Sequence, residues 1–178
     1  MKLLRFRRTP GILTVSATAL LLSACSYGLS GGGGFPSDIR TIFIEPFQNE
    51  TVQVELDQQL FTKLQERLPR ALGARPGSES AADAIIRGRI VRYEDVAQSY
   101  RATPGQQQAG GVDVLSHQVM ITVAVEIVDR KRNVVLWDSQ NVVGRGEYRI
   151  DDQRDVDARD KALNHILQLI IDGAQSQW

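Results

Sequence analysis

The segment Gln118 to Val128 constrains the fold most. Val119, Ile121, Val123, Val125 and Ile127 alternate there with Gln118, Met120, Thr122, Ala124 and Glu126. A side-chain period of two, kept over this length, belongs to a β-strand with one apolar face; a helix repeats every 3.6 residues. The polar stretch Asp129-Arg130-Lys131-Arg132-Asn133 follows, and Val134 to Tyr148 is again strand-like. The two runs predict an antiparallel hairpin. A sheet with one apolar face needs a second layer to cover it.

Two segments supply that layer. Leu56, Leu60, Leu64 and Leu68 recur every four residues, with Phe61 beside them, so they form the apolar stripe of an amphipathic helix that Pro69 ends or kinks. The acids Asp151, Asp152, Asp155 and Asp157 suit the start of a second helix, where unpaired N–H groups favour negative charge. Leu163, Ile166, Leu167, Ile170, Ala174 and Trp178 then share one face, which predicts a helix from about Asp155 to Gln177. Thr41 to Phe47 is β-branched and aromatic and reads as a strand closed by Pro46. Asn49-Glu50-Thr51 has turn and capping character. Arg75 to Ser78 reads as a turn. Ala84 to Tyr93 reads as a further strand, with Ile86, Gly88 and Ile90 on one face and Arg87 and Arg89 on the other. Arg101 to Val114, rich in Gln and Gly, is a mobile loop or an extended hairpin tip. The expected fold is α+β: two amphipathic helices packed on one face of a four-stranded, mostly antiparallel sheet, in the order β-α-β-β-β-α. The first strand is free to pair parallel through its helical crossover.

The first two dozen residues differ from the rest. Lys2, Arg5, Arg7 and Arg8 precede the apolar run Gly11 to Leu22, which is too short to span a bilayer core needing roughly 20 helical residues. A basic start, a short apolar core and small residues at its end describe a secretory signal. The end here, Leu22-Ser23-Ala24-Cys25, resembles a bacterial lipobox, in which the Cys thiol takes a diacylglyceryl group. Cys25 is the one Cys of the chain. The expected organisation is a signal peptide over 1–24, a lipidated flexible tether over 25–36, part of which could instead lie extended along a partner protein, and a single domain over 37–178. Cleavage takes four of the 21 basic residues and none of the 21 acids, turning a net charge of zero into −4. Two or more acyl chains anchor a protein stably. Ser26 after the Cys resembles a signal for the outer membrane rather than the inner one.

Reactive groups are scarce. One Cys and two His exclude a disulfide framework and a Cys/His zinc cluster. The four acids around Asp155 lack the spacing of a Ca²⁺ loop. The glycines of Gly28 to Gly34 precede no strand-to-helix phosphate turn. A non-enzymatic protein without metal or cofactor is expected, and the charge balance gives no support to nucleic-acid binding. His117 reads as an exposed residue at a strand start, and His165 as a polar-face or boundary residue of the last helix. Arg87, Arg89 and Arg92 lie on one strand with Arg101 beyond it. Guanidinium forks suit phosphorylated, anionic ligands, which makes these four candidate contacts; a solvated sheet face is the simpler account.

The opening of the mature chain resembles the lipopolysaccharide-assembly lipoprotein family, LptE. Cys25-Ser26-Tyr27-Gly28-Leu29-Ser30-Gly31 and Pro36-Ser37-Asp38-Ile39-Arg40-Thr41-Ile42 carry the likeness, with the alternation of Val119 to Val125 and the final amphipathic helix. The resemblance implies an outer-membrane, periplasm-facing lipoprotein. Such a protein sits as a plug in the LptD β-barrel, assists its assembly, and helps deliver lipopolysaccharide to the outer leaflet. Pro46-Phe47-Gln48-Asn49-Glu50-Thr51 is also similar to the Pro-Phe-x-Asn-x-Thr turn of other envelope lipoproteins, among them activators of penicillin-binding proteins and the curli secretion channel. That likeness implies the alternative role of a peptidoglycan-synthase regulator or other envelope assembly factor. A tether of about eleven residues, reaching at most roughly 40 Å, favours work close to the outer membrane.

Overall fold

The expected strands all form in the computed structural model, but within a larger sheet. The structure describes residues 36, 38–102, 112–149 and 155–176, and the side chains of all of these except 99–102 and 112–115. In chain order the elements are β1 (Thr41–Ile44), β2 (Gln48–Asn49), α1 (Leu56–Ala71), β3 (Arg75–Pro76), β4 (Ala84–Ala102), β5 (Val112–Asp129), β6 (Val134–Arg149) and α2 (Asp155–Gln175). The sheet is six-stranded, in the order β3-β1-β4-β5-β6, with β2 also on β4. β4, β5 and β6 are antiparallel, whereas β1 pairs parallel with both β3 and β4, and β2 parallel with β4. The sheet is therefore mixed, and the four-stranded, mostly antiparallel expectation is corrected. The additions are two-residue bridges, too short to leave a periodicity in the sequence. β1 also stops at Ile44, short of Phe47.

Both helices cover one face. Leu56, Leu60, Leu64 and Leu68 of α1 are wholly buried, as are Leu163, Ile166, Leu167 and Ile170 of α2. They meet Ile86, Ile90, Val119, Ile121, Val123 and Ile127 of the sheet in one core. α1 runs two residues past Pro69. The proline sits in the last turn, where its missing N–H costs one bond to the Gln65 carbonyl. The N-cap of α1 is Glu55, in the left-handed region at φ 78° and with no capping side chain. The polar groups of Asn49 and Thr51 close the preceding loop instead, so their expected capping role is not taken up. The helices run the same way: Lys63 Nζ lies 2.6 Å from Asp160 Oδ1, and Gln175 Nε2 donates to the Ala71 carbonyl near the other end (2.9 Å).

α2 lies directly on the backbone of β6. Gly144 and Gly146 point at Ala162 and Ala158, and a Cβ at either glycine would overlap the opposing carbonyl oxygen. Gly173 of α2 leaves room in turn for the Trp137 ring. On β4, the Phe47 ring occupies the place where a side chain at position 88 would stand.

Two carboxylates tie the loops at the opposite end from the long hairpin. Asp83 Oδ2 accepts the N–H groups of Arg40 (2.9 Å) and Thr41 (3.0 Å) and the Thr41 hydroxyl (2.8 Å), while Oδ1 lies 2.6 Å from Lys131 Nζ. The Lys131 bond and these donors hold the Asp83 carboxyl far below the usual range. Asp129, 2% exposed, is the one buried charged residue among those described. Burial alone would raise its carboxyl, but the Arg132 N–H, the Arg132 guanidinium (2.5 Å) and the Lys131 N–H (2.8 Å) outweigh it and lower it.

β4 and β5 are much longer than the sequence pattern indicates. They stay paired from Ala84↔Asp129 out to Ala102↔Val112. The ends of the Arg101 to Val114 segment are thus an extended hairpin; residues 103–111 lie outside the described part. So do the signal peptide, Cys25, the tether to 35, Asp151, Asp152 and Trp178.

Candidate functional site

The sheet face turned away from the helices carries the arginines. Arg87 and Arg89 point there by alternation, opposite Glu126 and Ala124 of β5. Strict alternation would turn Arg92 inward with Ile90. A bulge at Val91 prevents this: Ile90 pairs with Val123 and Arg92 with Thr122, so Arg92 joins the outer row and Tyr93 turns towards the core. The sequence grouped these three arginines by strand; the bulge puts them on one face.

Each has a carboxylate beside it. Arg87 is held firmly, with Nε 2.9 Å and Nη2 2.8 Å from Glu126 Oε2. Arg89 and Arg92 are held loosely, 3.5 Å from Glu50 and 3.8 Å from Glu94. All three side chains are at least half exposed, at 55%, 50% and 67%. Exposed pairs of this kind contribute only about 0–1 kcal/mol, so a doubly charged oxyanion can displace the looser ones. A cleft of about 230 Å³ opens between Pro46–Gln48 and this row, lined by Glu45, Gln48, Arg87, Arg89, Glu126 and Gln140. Further along the same face, Gln98, Gln118 and Glu147 form a hydrogen-bonded chain, with both steps at 3.1 Å.

Arg101 does not join the row. It lies on the same strand, its backbone opposite Asp113. Nine residues at about 3.3 Å each put it roughly 30 Å from Arg92.

The inner face holds a polar cluster that the sequence did not reveal. Beyond the start of α2, Asp95, His117 and Tyr148 come together from three strands. His117 Nδ1 lies 2.7 Å from Asp95 Oδ1, and the Tyr148 hydroxyl donates to Asp95 Oδ2 at 2.8 Å. The two rings are 5.3 Å apart. Burial, the bond to Asp95 and that carboxylate's charge push the Tyr148 phenol up to about 12. His117 is therefore not an exposed residue at a strand start: it sits five residues inside β5, half-buried and bonded. The missed signal is its register with Val119 and Ile121, which places it on their face. His165 is a boundary residue, as expected, and its Nδ1 accepts the Arg145 N–H from β6 (3.3 Å). Among the described residues no group of three or more His, Cys, Asp or Glu side chains is placed to hold a metal ion. None of the described helices is long and apolar enough to cross a membrane.

The Pro46–Thr51 motif is also resolved into contacts. Phe47 is buried against Gly88. Asn49 Oδ1 accepts the Thr51 N–H (3.0 Å) and hydroxyl (2.7 Å), and its Nδ2 donates to the Gln53 carbonyl (2.7 Å).

Comparison with known proteins gives a match to a family by sequence. The profile of the family LptE, described as lipopolysaccharide-assembly, matches residues 39–173. No curated protein matches the chain by sequence. Among solved structures, the chain is similar to the PelC dodecamer of Paraburkholderia phytofirmans, at 12% identity and a TM-score of 0.46 over 78% of this chain and 92% of that one. It is also similar to a lipoprotein of Neisseria meningitidis, at 10% identity and a TM-score of 0.45 over 75% and 96%. A minor lipoprotein of Acinetobacter baumannii gives 13% and 0.44 over 80% and 96%.

Proposed function

Since this chain belongs to the lipopolysaccharide-assembly family LptE, we propose that it works as an outer-membrane lipoprotein anchored at Cys25 that plugs and helps assemble an LptD-type β-barrel. In that position it helps insert lipopolysaccharide into the outer leaflet. The match over residues 39–173 carries this reading, because it takes in both helices up to the last two residues of α2 and every strand of the sheet. The architecture supports it: a sheet with one face under helices offers a broad, polar outer face, which suits a binding role more than catalysis at a point.

Arg89 and Arg92 are the residues we assign to the phosphates of lipopolysaccharide, with Arg87 held back by Glu126. Arg101 belongs to the far end of the hairpin and forms a separate contact if it touches the glycolipid. The test is co-purification. Tagged full-length protein, extracted from outer membranes in mild detergent, is expected to bring down an LptD-type barrel. Repeated recovery without the barrel overturns the reading. Stimulation of glycan polymerisation by the purified protein would instead favour a regulator of peptidoglycan synthesis.

A further inference from the structure

The loop between β2 and α1 holds two valines out in water. Val52 is 92% exposed and Val54 80%, more than any other large apolar residue described. A single exposed valine needs no explanation. Here the surrounding backbone is tied down so that neither side chain folds back. Asn49 makes its three bonds to Thr51 and Gln53, the Gln53 N–H reaches the Thr51 hydroxyl (3.3 Å), and the Glu50 N–H is bonded to the Ile90 carbonyl on β4 (2.9 Å). A presented side chain on an ordered loop loses little conformational freedom when it docks.

The charges around the valines select the occupant. Glu50 to Asp57 contains three acids and no Lys or Arg; Arg89 of β4 stands loosely against Glu50 at 3.5 Å, which leaves Glu55 and Asp57 to set the charge beside Val54. Glu55, next to Val54, also lines a groove between the helices with Glu66, Asp160 and Val156, and the one lysine there, Lys63, is taken by Asp160. Val156 is itself 57% exposed. A loop that enters a phosphate-bearing membrane surface carries basic residues beside its apolar ones. An acidic surround is repelled by such a surface, and equally by the same loop on a second copy. It fits a protein pocket with an apolar floor and a basic rim, the usual division of an interface into apolar centre and charged edge.

We infer that the 50–55 loop is a docking knob whose Val52 and Val54 enter an apolar, basic-rimmed pocket on the partner protein; this rests on the reading above that the partner is an LptD-type barrel. The test uses the full-length lipidated protein in its own envelope. A photo-crosslinking residue at position 52 or 54 is expected to capture the barrel protein. Val52→Ser with Val54→Ser is expected to lower the barrel recovered with the tag by about tenfold or more, equivalent to about 1.4 kcal/mol. Its unfolding midpoint should stay in place, because neither side chain joins the core. Crosslinks only to lipid or to a second copy overturn the inference. So does a double variant that recovers as much barrel as the unaltered protein. If the unaltered protein recovers no barrel, the functional reading falls and the inference falls with it.

Discussion

At the scale of single residues, Asp83 shows how one carboxylate holds several segments together. It accepts from Arg40 and Thr41 before and within β1 and pairs with Lys131 in the turn after β5. Its folded carboxyl lies well below the ordinary value of about 3.9. A depressed folded value means that the contribution is complete above the unfolded value and is lost as pH falls through the folded one. Urea unfolding is thus expected to show Asp83→Asn as the less stable protein at pH 7, with the gap narrowing as pH drops from about 4 towards 2. A gap that stays constant with pH would mean that the hydrogen bonds matter and the charge does not. Nothing in the local run of residues marks Asp83 as important, because its partners lie between forty and fifty positions away on either side.

At the scale of elements, the helices were legible and their seating was not. The four-residue spacing of Leu56, Leu60, Leu64 and Leu68 predicts the buried face, and all four are wholly buried. Leu64→Ala is expected to cost about 2–5 kcal/mol in chemical denaturation; a few tenths would contradict the burial. How closely α2 approaches β6 depends on Gly144 and Gly146, which read in isolation as ordinary strand glycines. A methyl at position 144 meets the Ala162 carbonyl and comes 2.6 Å from Ile166 Cγ1, so the helix must shift. Gly144→Ala should therefore destabilise the domain by roughly 1–3 kcal/mol through overpacking, seen as a lower unfolding midpoint. The bulge at Val91 is a second detail of this kind. It depends on how β4 lies against β5, and the local run of residues does not reveal it.

At the scale of the molecule, a sheet clothed on one face leaves its other face for the ligand contacts proposed above. On that face the pair distances rank the arginines: Arg87 is tightly held, whereas Arg89 and Arg92 are loose. Lipopolysaccharide binding is therefore expected to fall more in Arg89→Gln with Arg92→Gln than in Arg87→Gln. Binding by purified protein in a fluorescence displacement assay measures it. Equal losses, or no loss in a folded double variant, would remove the outer row from the glycolipid site. The binding is also expected to weaken with salt, since the groups are exposed.

Local periodicity and short motifs were enough to locate the four main strands and both helices, the apolar faces these bury, and the family the chain belongs to, but not the two-residue strands β2 and β3 or the outer lengths of β4 and β5. Periodicity and motifs survive without knowledge of neighbours. Tertiary structure alone decided the mixed pairing of six strands, the union of Arg92 with Arg87 and Arg89, the Asp95–His117–Tyr148 cluster and the glycine seat of α2. Each depends on register between segments distant in the chain, and register is a property of two strands together. The same holds for the valines of the 50–55 loop, whose exposure follows from the bonds that Asn49 makes once the fold has brought the loop to β4.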